Sequence, residues 1–277
     1  MDWTGSYESS FRVERVDPVT WEPCNAVPNV DQIEVDRDGT DDAPMLETAS
    51  MKVTSDPSVA FEPGWMRISV DAVQDGSSQS EPVATLWFEA SRGRYDRGYR
   101  EDDLVGSSSL WQASEAKIGD GSWAPKGADG ARWCADRLSE RIDAPVHVDG
   151  NGFEIPESIV FDLDASVLEA VWAVLDSGGW AIWIDGRGEV HLCERPSDVS
   201  LVLDQEGSCT LMPGTDYGDG TLTYSREWRP DIVPFSIVKA SLPSYGLDGT
   251  FEVKSQRLSC GRGIVVEESV KEAGGAR

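Results

Sequence analysis

Only two imidazoles, His147 and His191, are available for acid, base or nucleophilic chemistry in this chain of 277 residues. Both sit in strand-like alternations, "PVHVDG" and "GEVHLCERP". A Ser/His/Asp arrangement would need one of them beside an activated serine, and no G-x-S-x-G elbow occurs. The pattern describes strand histidines, satisfied by a neighbour or exposed, rather than a catalytic base.

Carboxylates are too common to single out a pair. Asp102/Asp103, Asp162/Asp164 and Glu267/Glu268 could each be drawn as a glycosidase-like couple, but 50 acidic residues make such coincidences inevitable. "DRDGTDD", 36–42, has the composition of a calcium loop, yet its Gly39 falls in the wrong register. A turn between strands is the better reading. "GDGSWAPKGADG", 119–130, lacks the glycine and lysine spacing that cradles phosphate, and serves as a connector.

Cys24, Cys134, Cys193, Cys209 and Cys260 are odd in number, widely spaced and form no CxxC pair, which argues for free thiols over a disulfide framework or zinc site. Trp111, Trp123, Trp133, Trp172, Trp180, Trp183 and Trp228 could line a sugar-binding face. Because several lie in apolar helix or strand patterns, core and interface packing is the expected role. No catalytic, cofactor-binding or metal-ligating residue is therefore expected, no cofactor is implied, and the chain is not expected to be an enzyme.

The elements that hold these residues fall into three stretches. From 11 to about 110, "FRVERV", "DQIEVDRDG", "LETASMKVTS", "GWMRISVDAV", "PVATLWFEAS" and "DDLVGSSSLWQAS" read as strands separated by Asp-Pro, Asp-Gly, Pro-Gly and Gly-Ser punctuation. Met66, Ile68, Val70 and Ala72 fall on one face, as in a half-buried antiparallel strand. The expectation is a first β-barrel-like domain over 1–110.

Helical spacing takes over in the middle. "GADGARWCADRLSERI" places Ala131, Cys134, Ala135, Leu138 and Ile142 on one face, and a second helix follows Asp164 or Ser166 as cap. Its stripe is Val167, Leu168, Val171, Val174 and Leu175, closed by Gly178 and Gly179. The stretch 111–200 is expected to be an α/β insert of two helices and short strands. Strand patterns return over 201–277 and complete a second barrel, with Pro234 inside "DIVPFSIVKASL" marking an edge or bulge and "KEAGGAR" fraying. The fold class is mainly β with an inserted α/β unit.

The densest stretch is "VLEAVWAVLDSGGWAIWIDGRGEVHL", 167–192, which reads as helix, glycine stop, strand, tight turn and return strand. Trp180, Ile182 and Ile184 share one face of that strand, with Ala181 and Trp183 on the other. If both faces are covered, the tryptophans anchor packing and no ligand is needed. What covers Trp183 is then the structural question.

A formal charge of −26, from 50 acidic against 24 basic residues, repels phosphate, so specific nucleic-acid binding and anionic membranes are disfavoured. The N-terminus lacks a basic then apolar leader, and no run approaches roughly 18 apolar residues, so neither a signal peptide nor membrane insertion is expected.

With this order of elements, the chain resembles the tail hub or baseplate hub proteins of phages, also called minor tail proteins. The resemblance is carried by "SMKVTSDPSVAFEPGWMRISVDAV", "VATLWFEASRGRYD", "SLWQASEAKIGDGSWAPKGADGARWCADRLSERIDAPVHV", "SVLEAVWAVLDSGGWAIWIDGRGEVHLCERP" and "GTFEVKSQRLSCGRGIVVEES". It implies a virion structural protein of the tail tip, assembled in the host cytoplasm. The implied form is a homotrimer in which two similar barrels per subunit form a pseudo-sixfold ring. That ring would join a sixfold tail tube or distal tail protein to a threefold spike or fibre, with an acidic lumen suited to DNA ejection. The alternative is a carbohydrate- or cell-wall-binding β module, a receptor-binding tail component with tryptophans exposed on one face.

Overall fold

A computed structural model describes residues 3, 7–40, 43–56, 58, 61–96, 98–119, 122–204, 216–218, 220–243, 247–261 and 264–272. Seven strands come first: β1 (Glu8–Val16), β2 (Pro23–Ala26), β3 (Val30–Thr40), β4 (Ala43–Ser55), β5 (Gly64–Gln74), β6 (Ser77–Asp96) and β7 (Tyr99–Ser107). A mixed unit follows, with α1 (Leu110–Glu115), β8 (Trp123–Ala124), α2 (Gly130–Ser139), β9 (Val146–Asp149), β10 (Ile159–Val160), α3 (Val167–Ser177), β11 (Trp180–Ile184) and β12 (Val190–Glu194). The last strands are β13 (Val199–Asp204), β14 (Asp216–Gly218), β15 (Thr221–Glu227), β16 (Ile237–Leu242), β17 (Leu247–Cys260) and β18 (Ile264–Glu272). The fold is mainly β with an inserted α/β unit. Cys209 and the end of the tail, 273–277, lie outside the described residues.

The first and last strand sets belong to one sheet. Its order is β14-β15-β18-β17-β3-β4-β7-β6-β5-β1-β2, and β16 joins β17 on one side and β13 on the other. The link is β17 against β3, antiparallel from Ser255 opposite Asp38 to Cys260 opposite Ile33. β17 is long enough to serve both halves, because Leu247 to Glu252 pair with β16 before the chain reaches β3. Leu258, Ile264 and Val266 from the late strands pack in the same core as Val35, Met51, Ile68 and Leu86 from the early ones. A second core, with Leu203, Tyr224, Val238 and Phe251, is built from the late strands alone.

The insert has its own core, and its helices form for local reasons. Ser166 caps α3 in a reciprocal capping box: its Oγ accepts from Glu169 N at 3.1 Å, and Glu169 Oε2 accepts from Ser166 N at 2.6 Å. Val167, Leu168, Val171, Val174 and Leu175 are all buried, as the helical stripe requires. Gly179, at φ +70°, supplies the left-handed step that ends the helix, whereas Gly178 keeps a negative φ. Asp129 caps α2 by accepting from Arg132 N. β9 runs parallel to β12 and β11 antiparallel to it, giving a three-stranded sheet under the helices.

Three expectations need correction. "DDLVGSSSLWQAS" is strand only to Ser107; Leu110–Glu115 is a third helix of six residues, too short to display a period, with Leu110 and Ala113 buried. Pro234 lies before β16, in a turn, and β16 is flanked on both sides, so the proline marks the entry to an internal strand and no edge. β5 is buried on both faces: Met66, Ile68, Val70 and Ala72 line the sheet core, while Trp65, Arg67 and Ser69 are covered as well.

Candidate functional site

What covers the second face of β5 is the turn between β11 and β12. Asp185 closes this turn by accepting from Arg187 N and Glu189 N, both at 2.9 Å, and Gly188 takes φ +78°. The turn's carbonyls then point at the large sheet. Thr85 Oγ1 donates to Gly186 O at 3.0 Å, Trp21 Nε1 to Arg187 O at 2.8 Å, and Arg67 Nη2 to the same oxygen at 3.1 Å. A Cβ on Gly186 would stand 2.0 Å from the Pro82 carbonyl oxygen, so this seat accepts only glycine. Around it Trp21, Trp65 and Phe235 join the insert's core, with Trp21 and Trp65 meeting edge to face at 5.1 Å. Beside the turn a cavity of about 440 Å³ is lined by Arg12, Glu14, Glu22, Arg67, Arg187 and Glu189 among others.

The two histidines meet where β9 pairs with this hairpin. His147 on β9 and His191 on β12 lie opposite each other, and Trp183 on β11 lies opposite His191. The result is one stack across three strands, with ring centroids 4.8 Å apart for Trp183 and His191 and 5.2 Å for the two imidazoles. Trp183 is thus covered from within its own sheet. His147 Nε2 donates to Glu189 Oε2 at 2.8 Å, and His191 Nδ1 donates to Asp149 Oδ2 at 2.7 Å. Asp185, 3.8 Å from His191 Nε2, and Asp149 together raise the His191 pKa. No hydroxyl or thiol nucleophile bonds either ring among the described residues; each ring is held by one carboxylate, and His191 Nε2 has no hydrogen-bond partner.

A second constellation crosses the seam of the large sheet. Glu47, Arg37, Gln256, Glu268 and Tyr224 stand directly opposite one another on β4, β3, β17, β18 and β15. Their side chains are joined in sequence: Arg37 Nε to Glu47 at 2.7 Å, Arg37 Nη1 to Gln256 Oε1 at 3.2 Å, Gln256 Nε2 to Glu268 Oε1 at 2.7 Å, and Tyr224 OH to Glu268 Oε2 at 2.6 Å. Arg226 grips Glu268 with Nε and Nη2. All six are buried. Burial pushes the Glu47 carboxyl upward against the opposing pull of Arg37. A buried ladder of this kind fixes register, because a slip of one residue would strand buried charges.

Sequence reasoning missed this ladder, although the signal was present. Arg37 follows Ile33 and Val35 on one stripe, Glu268 sits between Val266 and Val270, and Glu47 precedes Ala49 and Met51. Each is a polar residue on an otherwise apolar face.

The remaining candidates do not converge. Adjacent strand residues point to opposite faces, so Asp102 is buried beside Arg100 while Asp103 faces Arg94, and Glu268 lies inside while Glu267 does not. Residues 36–40 of "DRDGTDD" belong to β3, and 41 and 42 lie outside the described residues. Trp172, Trp180 and Trp228 are buried, and Trp133 and Trp183 are partly so. Only Trp111 and Trp123 of the seven named are exposed, at 49% and 52%.

A mainly β chain whose early and late strands share a sheet and whose α/β insert is pinned to it has the fold of phage tail proteins. It superposes on a tail protein from Neisseria meningitidis with TM-score 0.62 and 16% identity, covering 98% of each chain. A 43 kDa tail protein of prophage MuSo2 from Shewanella oneidensis gives TM-score 0.66 and 12% identity, covering 96% of this chain and 97% of that one. An E. coli component of the type VI secretion system, described as similar to bacteriophage tail proteins, gives 0.50 and 8% over 90% of this chain and 76% of that one. No family model matches the sequence, and no curated protein matches it at the sequence level.

Proposed function

We propose that this chain is a structural hub of a phage or phage-like tail tip and carries no catalysis. Three copies form a ring, each contributing two barrel-like units, 1–110 and 201–277, with the unit 111–200 inserted between them. The ring joins a sixfold tail tube or distal tail protein to a threefold spike or fibre in the virion, after assembly in the host cytoplasm. The observation that carries this reading is the seam: β3 and β17 bind the two strand sets into one sheet through a buried polar ladder. A ring that transmits load between tube and spike needs two repeats per subunit that cannot slide. The acidic surface gives a lumen that repels passing DNA.

Mass measurement in solution tests the proposal. A trimer that associates with tube protein is expected; a strict monomer at micromolar concentration with no such association overturns it. The alternative, a carbohydrate- or cell-wall-binding module, rests on exposed Trp111 and Trp123. Glycan binding abolished by substituting either one would replace the hub reading with that one.

A further inference from the structure

Asp185, Glu189 and His191 present one ligand atom each, all within 4.8 Å of one another, at the base of the docking turn. We propose that these three residues bind a divalent first-row transition cation of the zinc type, which clips the β11–β12 hairpin in the shape that seats on the large sheet.

His191 Nε2 is buried and has no hydrogen-bond partner, standing 3.8 Å from Asp185 Oδ2. Its other nitrogen is committed to Asp149 at 2.7 Å, the carboxylate–imidazole pairing that fixes the tautomer of the neutral ring, in which Nε2 has a lone pair that a metal takes in place of a proton. Glu189 is likewise held from behind, by His147 at 2.8 Å. Asp185 uses Oδ1 for the turn amides, so Oδ2 is the oxygen that faces the imidazole. Each of the three donors thus has its own support, which a chance meeting of side chains does not require.

The donor set selects the ion. One imidazole and two carboxylates suit zinc, manganese or ferrous iron, while magnesium and calcium prefer oxygen alone. Two carboxylates neutralise a divalent charge, and the net charge of −26 raises the local cation concentration. Tetrahedral bonds of about 2.1 Å bring ligand atoms to roughly 3.4 Å, so donors now within 4.8 Å of one another draw together on binding. The Glu189 side chain is 24% exposed, and His147 supports its Oε2 from behind. Of the three donors, Glu189 also lines the cavity beside the turn. The inference does not depend on the hub reading.

The test uses the full chain with Cys24→Ser, to remove the exposed thiol, stripped with chelator and titrated with zinc chloride by calorimetry. One equivalent per chain and a raised melting temperature are expected, with magnesium giving neither. His191→Gln and Glu189→Gln should each weaken zinc by at least about tenfold, and Asp149→Asn, which does not touch the ion, by less. No binding in a hundredfold excess of zinc overturns the proposal, as does stoichiometric binding retained in Glu189→Gln. If His191→Gln does not fold, Glu189→Gln alone decides, since its carboxylate lies at the surface of the cavity.

Discussion

Arg37 on β3 and Gln256 on β17 lie directly opposite one another although 219 residues separate them, and Arg37 Nη1 donates to Gln256 Oε1 at 3.2 Å. Their bond is the middle rung of the ladder that ties the early strands to the late ones. Arg37 also bonds Glu47 through Oε1, and Glu47 Oε2 has no hydrogen-bond partner among the described residues. Arg37→Leu should therefore leave a buried carboxylate uncompensated and cost about 3–5 kcal/mol. Arg37→Leu with Glu47→Leu removes both charges and should recover most of that loss. Denaturant unfolding checks the pair; a single variant no less stable than the double would show that the ladder does not work as a coupled unit.

How much of this was legible beforehand depends on the reach of each pattern. Alternation along β5 and β18 and the helical stripe of α3 are local, so the strands, the insert and the apolar faces could be read directly. The partners across β3 and β17 could not, because periodicity gives the face of a strand but never its neighbour. Arg67 and Ser69 illustrate the same limit. They alternate with Met66, Ile68 and Val70 as exposed residues should, yet a turn from 120 residues later covers Arg67. His147 and His191 meet through a parallel pairing of β9 with β12, a contact that spacing in the chain does not encode.

The capping box of α3 predicts a pH dependence. Hydrogen bonds from the Ser166 backbone and side chain hold the Glu169 carboxyl below its ordinary range. A depressed acid stabilises the fold above its unfolded pKa of about 4.3, and that contribution is lost as pH falls through the lower folded value. Ser166→Ala should cost about 1 kcal/mol at neutral pH. Glu169→Gln should flatten the loss of stability on acidification. Urea midpoints across the acid range check both, and an unchanged acid limb in Glu169→Gln would remove Glu169 as its source.

Thiol reactivity should follow burial. Cys24 is exposed, Cys134 is buried, and burial pushes the Cys260 thiol up to about 12 and the Cys134 thiol higher. Alkylation of the native protein at mildly alkaline pH should modify Cys24 first, with Cys134 and Cys260 labelled only after denaturation. Mass spectrometry of digested samples reads the order directly. Early labelling of Cys134 would mean that α2 opens from α3, since its sulfur lies 3.6 Å from the Val171 carbonyl.

Gly186 carries the sharpest prediction about how the insert and the sheet work together. A methyl group there would meet the Pro82 backbone at 2.0 Å, and backbone on a paired strand cannot step aside as a flexible side chain does. Gly186→Ala should therefore lift the turn off β6, breaking the bonds from Thr85, Trp21 and Arg67 together. Overpacking alone costs about 1–3 kcal/mol, and stranding the Arg67 guanidinium, whose pKa burial already lowers, adds to it. Hydrogen exchange at the Trp21 indole should accelerate while α3 amides stay protected, because the insert keeps its own core. If α3 loses protection to the same extent, docking and insert folding are one cooperative event, and the insert is not a unit pinned onto the sheet.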